Sequence, residues 1–210
     1  MFMLLIQANL QALSPRDLAR FRNDKSGRQS PSSPPEHRYW ATLHHIMTAH
    51  LSRASQANSL AMKFQRELAS QLAQRFPLGE WTPTRPYGGF AKTEMALAAT
   101  TIMVGERFLQ VNSPEKFLNA LWEFDRVAAS IVWGLPRWLN RKAYEKRDCY
   151  IGMLEKWLRE TKGKGWEESD KDWEPLMGSR YARELVKYFR KMGFEERSIA
   201  GAMSNLVVFA

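Results

Sequence analysis

Between Pro114 and Val132 apolar residues recur at steps of three and four. Phe117, Leu121, Phe124, Ala128 and Ile131 form one stripe of a helix. Leu118, Trp122, Val127 and Val132 widen that stripe, so the pattern predicts a central helix enclosed by others. Ser113 is placed to cap it, Pro114 suits the first helical position, and Glu115 faces the positive end of the helix dipole. Gly134 and Pro136 predict its stop.

The same period continues on both sides. Leu4, Leu5, Leu10, Leu13, Leu18 and Phe21 predict one or two brief helices around Ser14 and Pro15. From Asn23 to Pro35 the chain is rich in Ser, Pro, Gly, Lys and Arg and reads as a loop, because it has nothing to bury. Pro35 and Glu36 open a helix with Tyr39, Leu43, Ile46 and Met47 inside, ending near Leu51. Leu60, Phe64, Leu68 and Leu72, each four apart, predict the next, stopped by Pro77 and Gly79. Three prolines and three glycines make 77–89 a loop.

Further helices are predicted from Phe90 to Gly105, from Ala143 to Thr161 with Tyr144, Ile151, Leu154 and Leu158 on one face, and through Tyr181, Leu185, Tyr188 and Met192 to Gly193. The last begins near Glu195 and is still running at Ala210. No stretch has the period-two alternation of a strand, and there is no internal repeat. The predicted fold is therefore all-α, with about seven to nine helices. Residues 36–210 form a helical portion behind an amphipathic stretch and a Ser/Pro loop at 1–35. Val207, Val208, Phe209 and Ala210 lack a cap or a polar tail, which predicts a fold that continues beyond them.

Composition refines this picture. With 44% hydrophobic and 25% charged residues in 210, the chain can bury a core. Its net charge of +9 is uneven: residues 1–75 carry ten Lys/Arg against four Asp/Glu. A basic front half suits nucleic acid, an anionic membrane surface or an acidic partner, or is simply a solvated face. Zinc-finger, helix-turn-helix and aromatic RNA-binding signatures are missing, so no nucleic-acid partner is predicted. A single cysteine, Cys149, allows no intramolecular disulfide. The apolar runs starting at Met95, Val127 and Ile199 are broken or shorter than the ~18 residues that span a bilayer. Met1–Ile6 is too short for a signal-peptide core.

Most catalytic constellations are excluded. His37, His44, His45 and His50 lack the H-E-x-x-H spacing, and no carboxylate lies one turn from His44 or His45, so no metal is predicted. There is no G-x-S-x-G, and Gly88-Gly89 lacks the pattern that cradles phosphates. Glu123 and Asp125 diverge on a helix and read as solvent-facing charges. No catalytic residue is assigned.

Several ordered segments nonetheless form a recognisable set: W-E-F-D-R (Trp122–Arg126), G-L-P-R-W-L (Gly134–Leu139), Arg147-Asp148, W-E-P-L-M-G-S-R-Y-A-R-E (Trp173–Glu184) and I-A-G-A-M-S-N-L-V-V-F-A (Ile199–Ala210). Together they resemble the N-terminal half of fungal haem-thiolate monooxygenases, the cytochrome P450 superfamily, over residues 36–210. The resemblance implies insertion of one oxygen atom from O2 into a lipophilic small molecule, in specialised metabolism, with electrons from an NADPH-dependent reductase. It implies haem in the full-length family and a location in the cytoplasm, or on the cytoplasmic face of the endoplasmic reticulum where an N-terminal anchor is present. No such anchor is predicted here.

In that family a cysteine thiolate in F-x-x-G-x-R-x-C-x-G ligates the iron, and an E-x-x-R element braces the region. Neither occurs here as a family element, and A-G-x-x-T would begin just past Ala210. Cys149, in C-x-x-G on a predicted helix, is expected to be a small packing residue. This chain alone is therefore expected to hold no haem and to be inactive. The family's W-x-x-x-R, which donates to a haem propionate, is matched by Trp40 and His44, with His in place of Arg and with Arg38 or His45 as possible substitutes. Val207, Phe209 and Ala210 would lie nearest the substrate pocket. The reading from a different class is a self-sufficient basic helical protein that binds an acidic partner.

Overall fold

In the computed structural model, residues 12–24, 38–83 and 87–208 are described, with side chains omitted at 87–88 and 205–208. Nine α-helices are found among them: α1 (Pro15–Asn23), α2 (Tyr39–Met47), α3 (Ala54–Arg75), α4 (Tyr87–Val104), α5 (Glu106–Asn112), α6 (Pro114–Val132), α7 (Arg141–Thr161), α8 (Arg180–Lys191) and α9 (Glu196–Val208). A π-helical turn, Thr48–Ser52, extends α2, and a 3-10 turn, Trp166–Glu168, follows α7. The all-α class holds. The only strands among the described residues are two of two residues each, β1 (Trp173–Glu174) and β2 (Gly178–Ser179), paired antiparallel.

The hub is α7, not α6. Helix α7 packs against α5, α6 and α9, and Tyr150, Ile151, Leu154, Trp157 and Leu158 along it are wholly buried. Helix α6 buries the predicted stripe, Phe117, Ala120, Leu121, Phe124, Ala128 and Ile131. Its other side, with Lys116, Asn119, Glu123, Asp125 and Arg126, faces solvent, so it is an amphipathic outer helix. The residues that widened the stripe are only half-buried, because neighbours cover one side. Ser113 makes no side-chain cap: its φ is +62°, and its carbonyl instead accepts from the Phe117 N–H at 3.0 Å.

Polar side chains tie the helices end to end. Asn112 Nδ2 donates to the Phe108 carbonyl within α5 and to the Met153 carbonyl of α7, both at 3.1 Å. Trp157 Nε1 reaches Leu176 O, and Trp166 Nε1 satisfies Thr161 O at the end of α7, each at 2.9 Å. At the other pole α1 docks on α8 and α9. Ser14 caps α1 through Asp17 N, the wholly buried Asp17 accepts from Glu195 N at 3.1 Å, and Arg20 donates to Met192 O at 2.8 Å. Phe21 sits among Tyr39, Trp40, Phe189 and Phe194, with ring centroids 5.1–6.2 Å away.

The β-hairpin is locked onto the end of α4. Gly105 (φ +91°) and Gly178 (φ +69°) place their backbones in contact, and Ser179 Oγ donates to Met103 O at 3.0 Å. Trp173 Nε1 donates to Ile102 O at 3.0 Å. Helix α3 is different: none of its residues is buried, and it leans on α4 with Leu60, Phe64, Leu68 and Leu72 half-exposed.

Candidate functional site

Trp40, the second residue of α2, belongs to the aromatic cluster around Phe21. Its main-chain N–H donates to Asp24 Oδ2 at 2.7 Å, and its indole Nε1 donates to the Phe21 carbonyl at 3.1 Å. That side chain therefore fastens α2 to α1. His44 and His45 are exposed on α2. The donors a carboxylate would need are thus not gathered: the indole N–H already has an acceptor, and the imidazole of His44 faces water. As arranged, these residues do not fit a propionate clamp unless the indole exchanges acceptors.

Cys149 is exposed on α7, not packed as expected, because the buried face of that helix is taken by Tyr150, Ile151 and Arg147. No cluster of three or more His, Cys, Asp or Glu that could hold a metal is found among the described residues. Val207 lies in α9, which is helical to Val208, and nothing is described of its side chain. Phe209 and Ala210 lie outside the described residues.

Sequence reasoning missed a cleft beside α3. His50, Lys63, Asp172, Trp173, Arg180 and Tyr181 surround a cavity of about 20 Å³, room for one water. Burial pushes the His50 imidazole below the usual histidine range; Glu184 opposes this, while Arg180 and Arg53 reinforce it. The Lys63 ammonium lies 3.9 Å from the centre of the Trp173 ring. With room for about one water, this cleft is too small for a lipophilic molecule. The histidine spacing gave no hint of it, since its partners come from three separate segments.

Buried tyrosines also line the interior. Tyr150 hydroxyl donates to Ser204 O of α9 at 3.0 Å, and burial raises its pKa strongly. Tyr181 is pushed up to about 12 by burial. Both stay neutral at ordinary pH. Arg183, almost wholly buried, donates to Ser169 O at 2.7 Å and to Lys171 O, with desolvation drawing its pKa down. Tyr150 thus ties α7 to α9, and Arg183 ties α8 to the loop at 169–171.

An all-helical body whose last helix follows the hairpin and the Trp173–Glu184 run is what the resembled segments require, and comparison decides the family. The chain is 33% identical, over 98% of its length, to the cytochrome P450 monooxygenase calL of Penicillium decumbens. It is 28% identical over 72% of its length to the cytochrome P450 monooxygenase fsoE of Humicola fuscoatra, and 28% over 70% to efuG of Hormonema carpetanum, also a cytochrome P450 monooxygenase. The chain belongs to the cytochrome P450 superfamily. It spans 39% of the length of calL and about a quarter of the other two, 27% and 26%, so an N-terminal portion of a P450 fits. No family model and no solved structure matches it. Haem belongs to the full-length P450 family. No described helix of this P450 chain is long and apolar enough to cross a membrane.

Proposed function

We propose that residues 36–210 supply the outer helices of a monooxygenase that inserts one oxygen atom from O2 into a lipophilic small molecule of specialised metabolism. The second oxygen atom leaves as water, with two electrons from an NADPH-dependent reductase and two protons from solvent. The observation that supports this reading is identity to a P450 monooxygenase running through 98% of the chain. In this reading α9 walls the distal pocket, with Val207, Phe209 and Ala210 nearest the substrate. The whole protein works in the cytoplasm or on the cytoplasmic face of the endoplasmic reticulum. The haem, when bound through a cysteine thiolate, supplies the oxygen-activating chemistry. Contact of Trp40 and His44 with a propionate would require the indole N–H to leave the Phe21 carbonyl.

Residues 1–210 alone are inactive in this reading, because Cys149, the one thiol, sits on the solvent side of α7, and no metal-holding cluster surrounds it among the described residues. Two measurements test it. Reading the transcript past codon 210 should reveal A-G-x-x-T, E-x-x-R and F-x-x-G-x-R-x-C-x-G in frame; their absence overturns the parent activity. Hemin added to the purified chain, reduced under carbon monoxide, should give no thiolate-type Soret band. A stoichiometric band overturns the inactivity.

A further inference from the structure

The cleft beside α3 gathers donors and positive charge around one small space. His50 lies in the π-helical turn Thr48–Ser52, and its Nδ1 is buried with no hydrogen-bond partner among the described residues. Gln56, Ser59 and Lys63 of α3 stand on one wall, and Arg180 and Tyr181 at the start of α8 on another. The Lys63 ammonium rests on the Trp173 ring, 3.9 Å from its centre. Among the described residues neither Lys63 nor Arg180 forms an ion pair within 4 Å. Asp172 is the one acid on the described wall, so two cations face one carboxylate while His50 is neutral. Outside the wall Glu184 attracts a proton to His50, whereas Arg180, Arg53 and His45 repel it.

We propose that this cleft binds one chloride ion, which accepts from His50 Nδ1–H and lies between the Lys63 ammonium and the Arg180 guanidinium. The cavity of about 20 Å³ admits one particle of roughly water size, which excludes phosphate and sulfate with their four oxygens. A water would serve Nδ1 equally well but would leave the excess positive charge unbalanced; a monatomic anion meets both needs. The ion would clip three segments together: the π-turn with α3, the residues entering the hairpin, and α8. Helix α3 buries none of its own residues, so it has the most to gain from such a clip. A bound anion also favours the imidazolium, so uptake of chloride and protonation of His50 assist each other. Without the anion, burial and the neighbouring cations hold the imidazole neutral, and stability falls as the pH drops through its lowered pKa. Chloride offsets that loss.

The test is calorimetric melting of the full 210-residue chain in sodium chloride or sodium gluconate at the same ionic strength. A site half-filled at about 30 mM should raise the melting temperature by about 2–4 °C in about 150 mM chloride. The rise should be larger at pH ~5.5 than at pH ~7.5, because His50 takes up its proton over that range. Lys63→Met, which keeps an apolar stem on Trp173, should remove the rise at both pH values. His50→Asn, which keeps a neutral donor, should retain the rise at pH ~7.5 and lose its growth at pH ~5.5. No chloride-dependent rise in the unaltered chain, or an equal rise in Lys63→Met, overturns the proposal, since the cleft would then hold water only. The chlorine NMR line of chloride gives a reading that needs no variant. It should broaden with the folded chain and narrow again on adding bromide but not sulfate; a line that stays narrow, or that sulfate restores equally, overturns the proposal as well.

Discussion

Replacing Gly178 by alanine should be among the most damaging single-methyl additions in this chain. A Cβ built there lies 2.5 Å from Gly105 N, 2.6 Å from Met103 O and 2.7 Å from Met103 C. All three are main-chain atoms of the α4 end, so no side chain can rotate away. The left-handed backbone at φ +69° adds about 1–2 kcal/mol for any residue with a Cβ. Overpacking adds about 1–3 kcal/mol, while the stiffer unfolded chain returns about 0.4–1 kcal/mol. The net loss is about 2–4 kcal/mol. At about 2–4 °C per kcal/mol for a chain of this size, the melting temperature should fall by roughly 4–16 °C.

Far-ultraviolet circular dichroism during heating reads this directly, with Gly79→Ala as the control. Gly79 has φ +89° but nothing within 4 Å of its would-be Cβ, so only the backbone and unfolded-state effects apply, about 1 kcal/mol or less. Equal shifts in the two variants would refute the argument, for they would show that the hairpin is not locked against α4. A pronounced loss confined to Gly178→Ala would confirm that the contact bears on stability.

Burial holds the protons of Tyr150 and Tyr181 on in the folded state, above the ~10 of an unfolded tyrosine. Their contribution is whole below pH ~10 and declines as the pH rises above it, because the unfolded chain then releases protons that the folded chain keeps. Melting temperature should therefore drop on the alkaline side, and Tyr150→Phe should shallow that decline; an identical slope in the variant would refute it. Trp40→Phe should cost about 1 kcal/mol through the lost bond to the Phe21 carbonyl, which urea titration would detect; an unchanged midpoint would show that the indole does not fasten α2 to α1. Arg141→Ala should change stability by less than about 0.5 kcal/mol, since its pair with Glu145 is 83% and 53% exposed. Arg183→Met should instead cost about 2–3 kcal/mol, because it strips two carbonyls of their donor; similar effects of the two arginine variants would contradict that ranking.

The sequence alone determined the helical class and nearly every long helix, because a 3.6-residue apolar period is a local property that needs no partner to be read. It also carried the family, since W-E-F-D-R, G-L-P-R-W-L and the Trp173–Glu184 run lie in their order on α6, its following turn and the hairpin leading to α8. The short helix α5 escaped it: seven residues give barely two turns of periodicity, and it is bounded by Gly105 and Ser113, both with positive φ. Only tertiary structure decided which helix is central. The apolar stripe of α6 is as strong as that of α7, but α7 has neighbours on several sides and α6 has them on one. The use of Trp40 was likewise undecidable locally, because its acceptor, Phe21, lies nineteen residues away. Period tells a side chain which face it is on; what that face meets depends on contacts between distant segments, and these fix the roles of Trp40, Cys149 and His50.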